Sequence, residues 1–276
     1  MVVIIDNASF DKRPIGVFDS GLGGLTALRQ IYKALPCEQV VYFGDTGRVP
    51  YGTRSDETVI KYVNQDIRFI SSFDIKLLLL ACNTATSIAL DRLKDSFGFP
   101  VIGVVENAST AAVNATKTGS VLVLGTSATI RSKSYIKRLN ALNPAIEIYE
   151  QACPLLVPLV ENGRYKVDDE IVRLILKEYL DPFKGKDIDT VILGCTHYPL
   201  LSEAVQRTVG DCVTLIDSGK EAVSSIHGMI TPNEYADRRD DRFYVSDSVH
   251  NFEALAETLL GETIYGSVEK VDIDLY

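Results

Sequence analysis

An α/β fold of two pseudo-symmetric lobes, each a mostly parallel sheet flanked by helices with the active site in the cleft between them, is predicted by three observations in this 276-residue chain. Short apolar runs alternate with amphipathic stretches over most of the length, the pattern of βα units. Two of those runs, Leu77-Leu78-Leu79-Leu80-Ala81 and Val191-Ile192-Leu193-Gly194, end at a cysteine followed by short hydrogen-bonding side chains, Cys82-Asn83-Thr84 and Cys195-Thr196-His197. Upstream of each lies a further apolar run ending in small polar residues: Gly16-Val17-Phe18-Asp19-Ser20 and Leu122-Val123-Leu124-Gly125-Thr126-Ser127. Asp19 stands 63 positions before Cys82, and Thr126 stands 69 before Cys195. Residues just past the C-terminal ends of parallel strands are where such sheets build sites. One polar strand end and one cysteine per half therefore predict a thiol on either side of a shared cleft. That geometry suits removal of a proton from one face of a carbon and its return to the other.

Taken along the chain, strands are predicted near 15–18, 39–43, 76–81, 101–104, 120–124, 145–149, 189–194 and 213–216. Helices are predicted near 23–35, 55–72, 84–96, 107–116, 130–142, 168–180 and 199–208. Ser55 is placed to cap the second helix, with Thr58 opening its apolar face. Asp168-Asp169-Glu170 puts three carboxylates at the start of another, where they oppose the positive end of the helix dipole. The tail carries helices near 219–229 and 249–260 and a short strand, Phe243-Tyr244-Val245, separated by a polar, turn-prone stretch from Thr231 to Asp241. The tail is expected to return to the first lobe. The first lobe then spans 1–106 plus 218–276 and the second 107–217.

Bulk properties narrow the function. A hydrophobic content of 46 % and a charged content of 24 % are those of a soluble globular protein. The apolar run from Leu77 to Cys82 falls far short of the ~20 residues of a membrane span. The N-terminus, Met1-Val2-Val3-Ile4-Ile5-Asp6, lacks the basic region and length of a secretory signal, so a cytoplasmic protein is expected. A net charge of −9 with no basic run argues against nucleic-acid and anionic-membrane partners. The five cysteines, at 37, 82, 153, 195 and 212, are scattered and form no C-x-x-C pair, which favours free thiols.

A cysteine at the end of a buried strand is commonly an inert small hydrophobe. At Cys82, however, a helix begins immediately, and N–H groups at a helix start stabilise a thiolate. Cys195 repeats the arrangement. His197, two residues on, reads as an acid/base partner; Cys195-x-His197 supplies only two zinc ligands and no second cluster completes a tetrahedral site, so no metal is expected. Asp19-Ser20-Gly21-Leu22-Gly23-Gly24 invites a dinucleotide reading, but Thr26 stands where the third glycine belongs, and Asp19 would face a pyrophosphate. The turn instead suits a small molecule, Asp19 facing an ammonium and Ser20 donating a hydrogen bond, or else an ordinary helix cap. Pro50-Tyr51-Gly52 reads as a simple turn or as a lid offering a tyrosine hydroxyl and a glycine N–H. Glu161 follows an apolar segment as a surface carboxylate would.

Assembled, these residues resemble the glutamate racemases of the aspartate/glutamate racemase superfamily. The motifs are Phe18-Asp19-Ser20-Gly21-x-Gly23-Gly24, Gly44-Asp45-Thr46-x-x-x-Pro50-Tyr51-Gly52, Ala81-Cys82-Asn83-Thr84-Ala85 and Gly194-Cys195-Thr196-His197-Tyr198-Pro199-Leu200. The resemblance implies cofactor-independent racemisation of glutamate, supplying D-glutamate for peptidoglycan synthesis and cell shape, by a homodimer. It implies Cys82 and Cys195 as the two catalytic bases, tuned by Asp19 on one side and by His197 with Glu161 on the other. It implies Asp19, Ser20, Tyr51, Gly52, Asn83, Thr84, Thr196 and His197 as substrate contacts, with Thr126 at a further matching position.

Overall fold

Runs of Leu, Val, Ile and Phe become strands here because helices cover both of their faces. The computed structural model describes residues 11–233, 240–264 and 266–276. In order, the strands are β1 (Ile15–Asp19), β2 (Val40–Gly44), β3 (Leu77–Leu80), β4 (Val101–Gly103), β5 (Ser120–Gly125) and β6 (Glu147–Ala152). They continue with β7 (Thr190–Gly194), β8 (Thr214–Asp217), β9 (Asp241–Val245) and β10 (Gly266–Lys270). β1, β2, β3, β5 and β7 are buried at every position.

Two sheets result, ordered β10-β9-β2-β1-β3-β4 and β6-β5-β7-β8, with every pairing parallel. In the first, the chain leaves β1 to one side for β2 and to the other for β3. In the second it leaves β5 for β6 and then crosses to β7. Each sheet therefore reverses direction between two adjacent central strands, β1 and β3 or β5 and β7, and such switch points open crevices at the strands' C-terminal ends.

The helices are α1 (Leu25–Ala34), α2 (Asp56–Ser71), α3 (Asn83–Leu93), α4 (Val104–Ala115), α5 (Ser127–Ser132) and α6 (Ser134–Leu142). They continue with α7 (Leu156–Glu161), α8 (Glu170–Leu180), α9 (Ser202–Val209), α10 (Ser218–Met229) and α11 (Val249–Leu260). Ser55 caps α2 as expected, its hydroxyl accepting from the Thr58 N–H at 3.3 Å. Asp169 caps α8, one oxygen accepting from the Ile171 and Val172 N–H groups.

Four elements depart from expectation. The helix expected over 130–142 is two, because Lys133 adopts a left-handed backbone (φ 58°) and splits α5 from α6. α4 starts at Val104, directly off β4, with no loop between. α7 lies in a proline-interrupted apolar run with no helical period; Pro158 falls in its first turn, where the absent N–H costs nothing. β10 is a mostly exposed edge strand with no apolar run to announce it. β9 lies beside β2, so the segment from 241 onward shares the sheet of β1–β4. Residues 234–239 of the turn-prone stretch, and 1–10, lie outside the described residues. Among the described residues, no helix is long and apolar enough to cross a membrane.

A buried ion pair fastens the N-terminal ends of β2 and β3, on either side of β1. Lys76 Nζ lies 2.5 Å from Glu38 Oε2, their side chains 4 % and 0 % exposed, and Asn233 donates to both Glu38 oxygens at 3.0 Å. Removing one partner leaves the other charge buried, so Lys76→Met is expected to lower unfolding free energy by about 3 kcal/mol in urea titration. A loss below about 1 kcal/mol contradicts this account.

Candidate active site

The C-terminal ends of β1, β3, β5 and β7 open onto one cavity of about 380 Å³. Ser20, Cys82, Asn83 and Thr84 line it from the first sheet, and Thr126, Cys195, Thr196 and His197 from the second. Tyr51 and Gly52 come in on the loop after β2, and Glu161 closes another side from the end of α7. Eleven of the twelve residues expected at the site thus share this one lining; Asp19 is the exception.

Cys82 occupies the cap position of α3. Its sulfur accepts from the Ala85 N–H at 3.5 Å and donates to Ser20 Oγ at 3.2 Å. Burial, reinforced by the negative charge of Asp19, pushes the Cys82 thiol up to about 12 despite those two bonds. Capping alone does not make this cysteine a thiolate.

Cys195 has a different neighbour. Its sulfur stands 3.9 Å from His197 Nδ1, and His197 Nε2 stands 3.2 Å from Glu161 Oε1, an ion-pair distance without hydrogen-bond alignment. Burial disfavours the imidazolium, but Cys195 and Glu161 outweigh it and push His197 up to about 10. The arrangement thus favours the protonated imidazole, set between a sulfur and a carboxylate. Among the described residues, neither Arg nor Lys lines the cavity.

Asp19 sits one layer behind. It has no exposed surface, accepts from the Gly21 N–H at 3.0 Å, and lies 3.4 Å from the Thr196 hydroxyl. Burial raises its pKa, opposed chiefly by the charge of His197. Asp19 thus meets Thr196 of the second sheet, and the glycine turn explains how. A Cβ on Gly23 would fall 2.2 Å from Thr196 Oγ1 and 2.6 Å from His197 Nδ1; one on Gly24 would fall 2.5 Å from Asp19 Cβ. Gly23 admits the second sheet's residues, and Gly24 the Asp19 side chain, rather than a phosphate.

Tyr51 also differs from expectation. Its ring is buried, and its hydroxyl donates to Asp45 and lies 2.9 Å from Asp66, neither of which lines the cavity. Asn83 is held on both sides: its oxygen accepts from the Tyr135 hydroxyl at 2.6 Å and its nitrogen donates to Ser218 Oγ at 3.0 Å. Thr84 and Thr126 join hydroxyls across the cleft at 2.9 Å, with Thr129 3.0 Å from Thr126.

A family model described as Asp/Glu/Hydantoin racemase matches residues 25–226. The chain belongs to the Asp/Glu/Hydantoin racemase family. A glutamate racemase of Geobacter metallireducens is 41 % identical over 266 residues, covering 95 % of this chain and 97 % of its own. The crystal structure of glutamate racemase from Francisella tularensis in complex with D-glutamate superposes with a TM-score of 0.89 at 37 % identity, over 97 % of this chain and 100 % of that one. A glutamate racemase isoform of Bacillus anthracis gives 0.88 at 38 %, over 94 % and 98 %.

Several lining residues carried no sequence signal. Cys153, Pro154, Val157 and Pro158 form an apolar wall from the β6–α7 turn. Cys153 read only as one scattered thiol, and burial raises its pKa. A cysteine ending a strand was the available clue, masked because β6 runs three residues beyond its apolar segment.

For this family member, Gly23→Ala is expected to cost about 1–3 kcal/mol of stability, since the clashing atoms, Thr196 Oγ1 and the His197 ring, are buried and close to their backbones. Displacing Thr196 and His197 by about 1 Å should also cut kcat/KM about 100-fold. Steady-state kinetics on the folded variant check this; wild-type kinetics would remove the glycine from the argument.

Proposed function

We propose that this chain interconverts L-glutamate and D-glutamate without a cofactor, using Cys82 and Cys195 as the two proton-transfer groups. The observation that carries the reading is the placement of both sulfurs on one cavity, at matched strand ends of two different sheets. The similarity to glutamate racemases over nearly the full chain favours glutamate over other substrates of the family. In the cell the activity supplies D-glutamate for peptidoglycan, in the cytoplasm and as a homodimer.

In one direction the Cys82 thiolate takes the α-proton, leaving a carbanion, and the Cys195 thiol delivers its own proton to the opposite face. The reverse direction exchanges the roles. Each turnover leaves the enzyme with the proton on the other sulfur. The α-proton is weakly acidic, so the carbanion must be met by fixed dipoles in a site that excludes water. Hydroxyls of Ser20, Thr84, Thr126 and Thr196 and the N–H groups at the start of α3 provide them. His197 balances the charge beside Cys195, and Glu161 holds the imidazolium.

Cys82→Ser and Cys195→Ser are each expected to abolish racemisation of both enantiomers, a loss of at least about 10³-fold. The decisive assay follows handedness by circular dichroism and α-deuterium by mass spectrometry, starting from each enantiomer in D₂O with no added cofactor. One deuterium entering each product supports the two-base reading. Exchange without inversion, or full activity in either mutant, overturns it.

The two active forms hold the same number of protons and differ only in which sulfur carries one. Because the two enantiomers have equal free energy, their kcat/KM values must also be equal at every pH. Both should fall as pH rises through about 10, where His197 loses its charge, and in His197→Asn the loss should already be present at neutral pH. A pH series measured from each enantiomer checks both statements.

A further inference from the structure

Tyr51 lines the cavity while its hydroxyl is spent elsewhere, which raises the question of what holds it. The loop between β2 and α2 folds over a buried cluster of charge. Arg48 is at the centre: Nε lies 2.6 Å from Asp45 Oδ2, Nη2 lies 2.5 Å from Asp66 Oδ1, and Nη1 donates to Gln65 Oε1 at 2.8 Å. Its guanidinium lies over the Tyr62 ring, 4.2 Å from the centroid. Both carboxylates are fully enclosed, and both engage the Tyr51 hydroxyl. Asp45 is itself fixed by Ser246 at the end of β9, whose hydroxyl donates to it at 2.7 Å and accepts from the Gly47 N–H at 2.8 Å.

On its other side the loop meets the second sheet. A Cβ on Gly52 would fall 3.0 Å from Thr126 Cβ, so the Gly52 backbone is in contact with the residue that bonds Thr84 across the cleft. A continuous path runs from Asp66 and Arg48 through Tyr51 and Gly52 to Thr126.

We propose that Arg48 and Asp66 are positioning residues: they clamp the Tyr51 hydroxyl and thereby hold the Gly52 backbone against Thr126, setting the substrate-contacting wall of the cavity. Neither touches the cavity. Two enclosed carboxylates share one cation, and burial together with the Asp45 charge pushes Asp66 well above the usual carboxylate range. A neutral Asp66 can still accept from Arg48 with one oxygen and share a proton with the Tyr51 oxygen through the other. The consequence for activity rests on the glutamate reading above; the clamp on the loop stands apart from it.

The test compares Arg48→Met, Asp66→Ala, Asp66→Asn and Tyr51→Phe with wild type. Kinetics are read from both glutamate enantiomers, and amide hydrogen exchange of residues 49–53 is read in the unliganded protein. Arg48→Met and Asp66→Ala should raise KM about 10-fold or more for both enantiomers while kcat stays within about 3-fold, because binding rather than chemistry is lost. Exchange over 49–53 should quicken with the rest of the map unchanged. Asp66→Asn keeps an acceptor for Arg48 and a group that bonds the tyrosine oxygen, and should bring KM back toward wild type.

Unchanged KM with unchanged loop exchange overturns the proposal, as does a uniform loss of protection across the whole chain with KM intact. If the Met and Ala variants do not fold, Tyr51→Phe decides: it must raise KM and quicken the loop, and wild-type behaviour in both overturns the clamp. Absence of glutamate turnover in wild type sinks the glutamate reading alone, and the exchange data then judge the clamp by themselves.

Discussion

Desolvation of Cys82, which pushes its thiol up to about 12, is the constraint around which the rest of the site is arranged. A water-excluding cavity strengthens every dipole aimed at the carbanion of the proposed reaction, yet it also penalises the thiolate with which that proposal begins. The site meets this with one cation. His197, held by Glu161 and facing Cys195, is the one basic side chain among the described lining residues, so the two thiols stand in unequal fields. Asp19 sharpens that inequality from behind Cys82 without entering the cavity. The pseudo-symmetry of the fold is thus broken electrostatically at its centre.

The same constraint accounts for how closely the two sheets approach. Excluding water requires side chains from each to close on the other, and glycines supply the clearance. Gly23 leaves room for Thr196 and His197, and Gly52 lets the loop backbone rest on Thr126. Hydrogen bonds then pin the approach: the Thr26 hydroxyl donates to the Thr196 carbonyl at 2.8 Å, and Tyr135 and Ser218 fix the Asn83 amide beside Cys82. In the function proposed above, the neutral hydroxyls that line the cavity meet an anionic substrate without the desolvation cost of burying lysine or arginine beside it. Arginine does appear, but one layer out, where Arg48 organises the loop rather than the ligand.

Much of the architecture was legible because parallel strands buried on both faces read as continuous apolar runs. β1, β3, β5 and β7 fall within a residue or two of their expected positions, and with them the residues at their ends. Elements whose stability comes from their surroundings were not legible. α7 is a short helix in an apolar, proline-bearing run, and β10 is an exposed edge that exists because β9 offers it a partner. Lys133 breaks a helix whose apolar period continues through it, since period reports the face buried and not the backbone angle adopted.

At the site the division follows the same physics. Local order along the chain determines which residue follows a strand, so Cys82 with Asn83 and Thr84, and Cys195 with Thr196 and His197, could be placed at strand mouths from the sequence by itself. Which atoms those side chains face is a matter between segments far apart in the chain. Only the tertiary structure decided that Asp19 bonds Thr196 behind the cavity, that the Tyr51 hydroxyl turns to Asp45 and Asp66, and that Cys153 joins the wall. The reason is that a side chain's direction at a buried junction is set by the polar group it must satisfy. That group comes from a strand or helix whose sequence position carries no trace of the meeting.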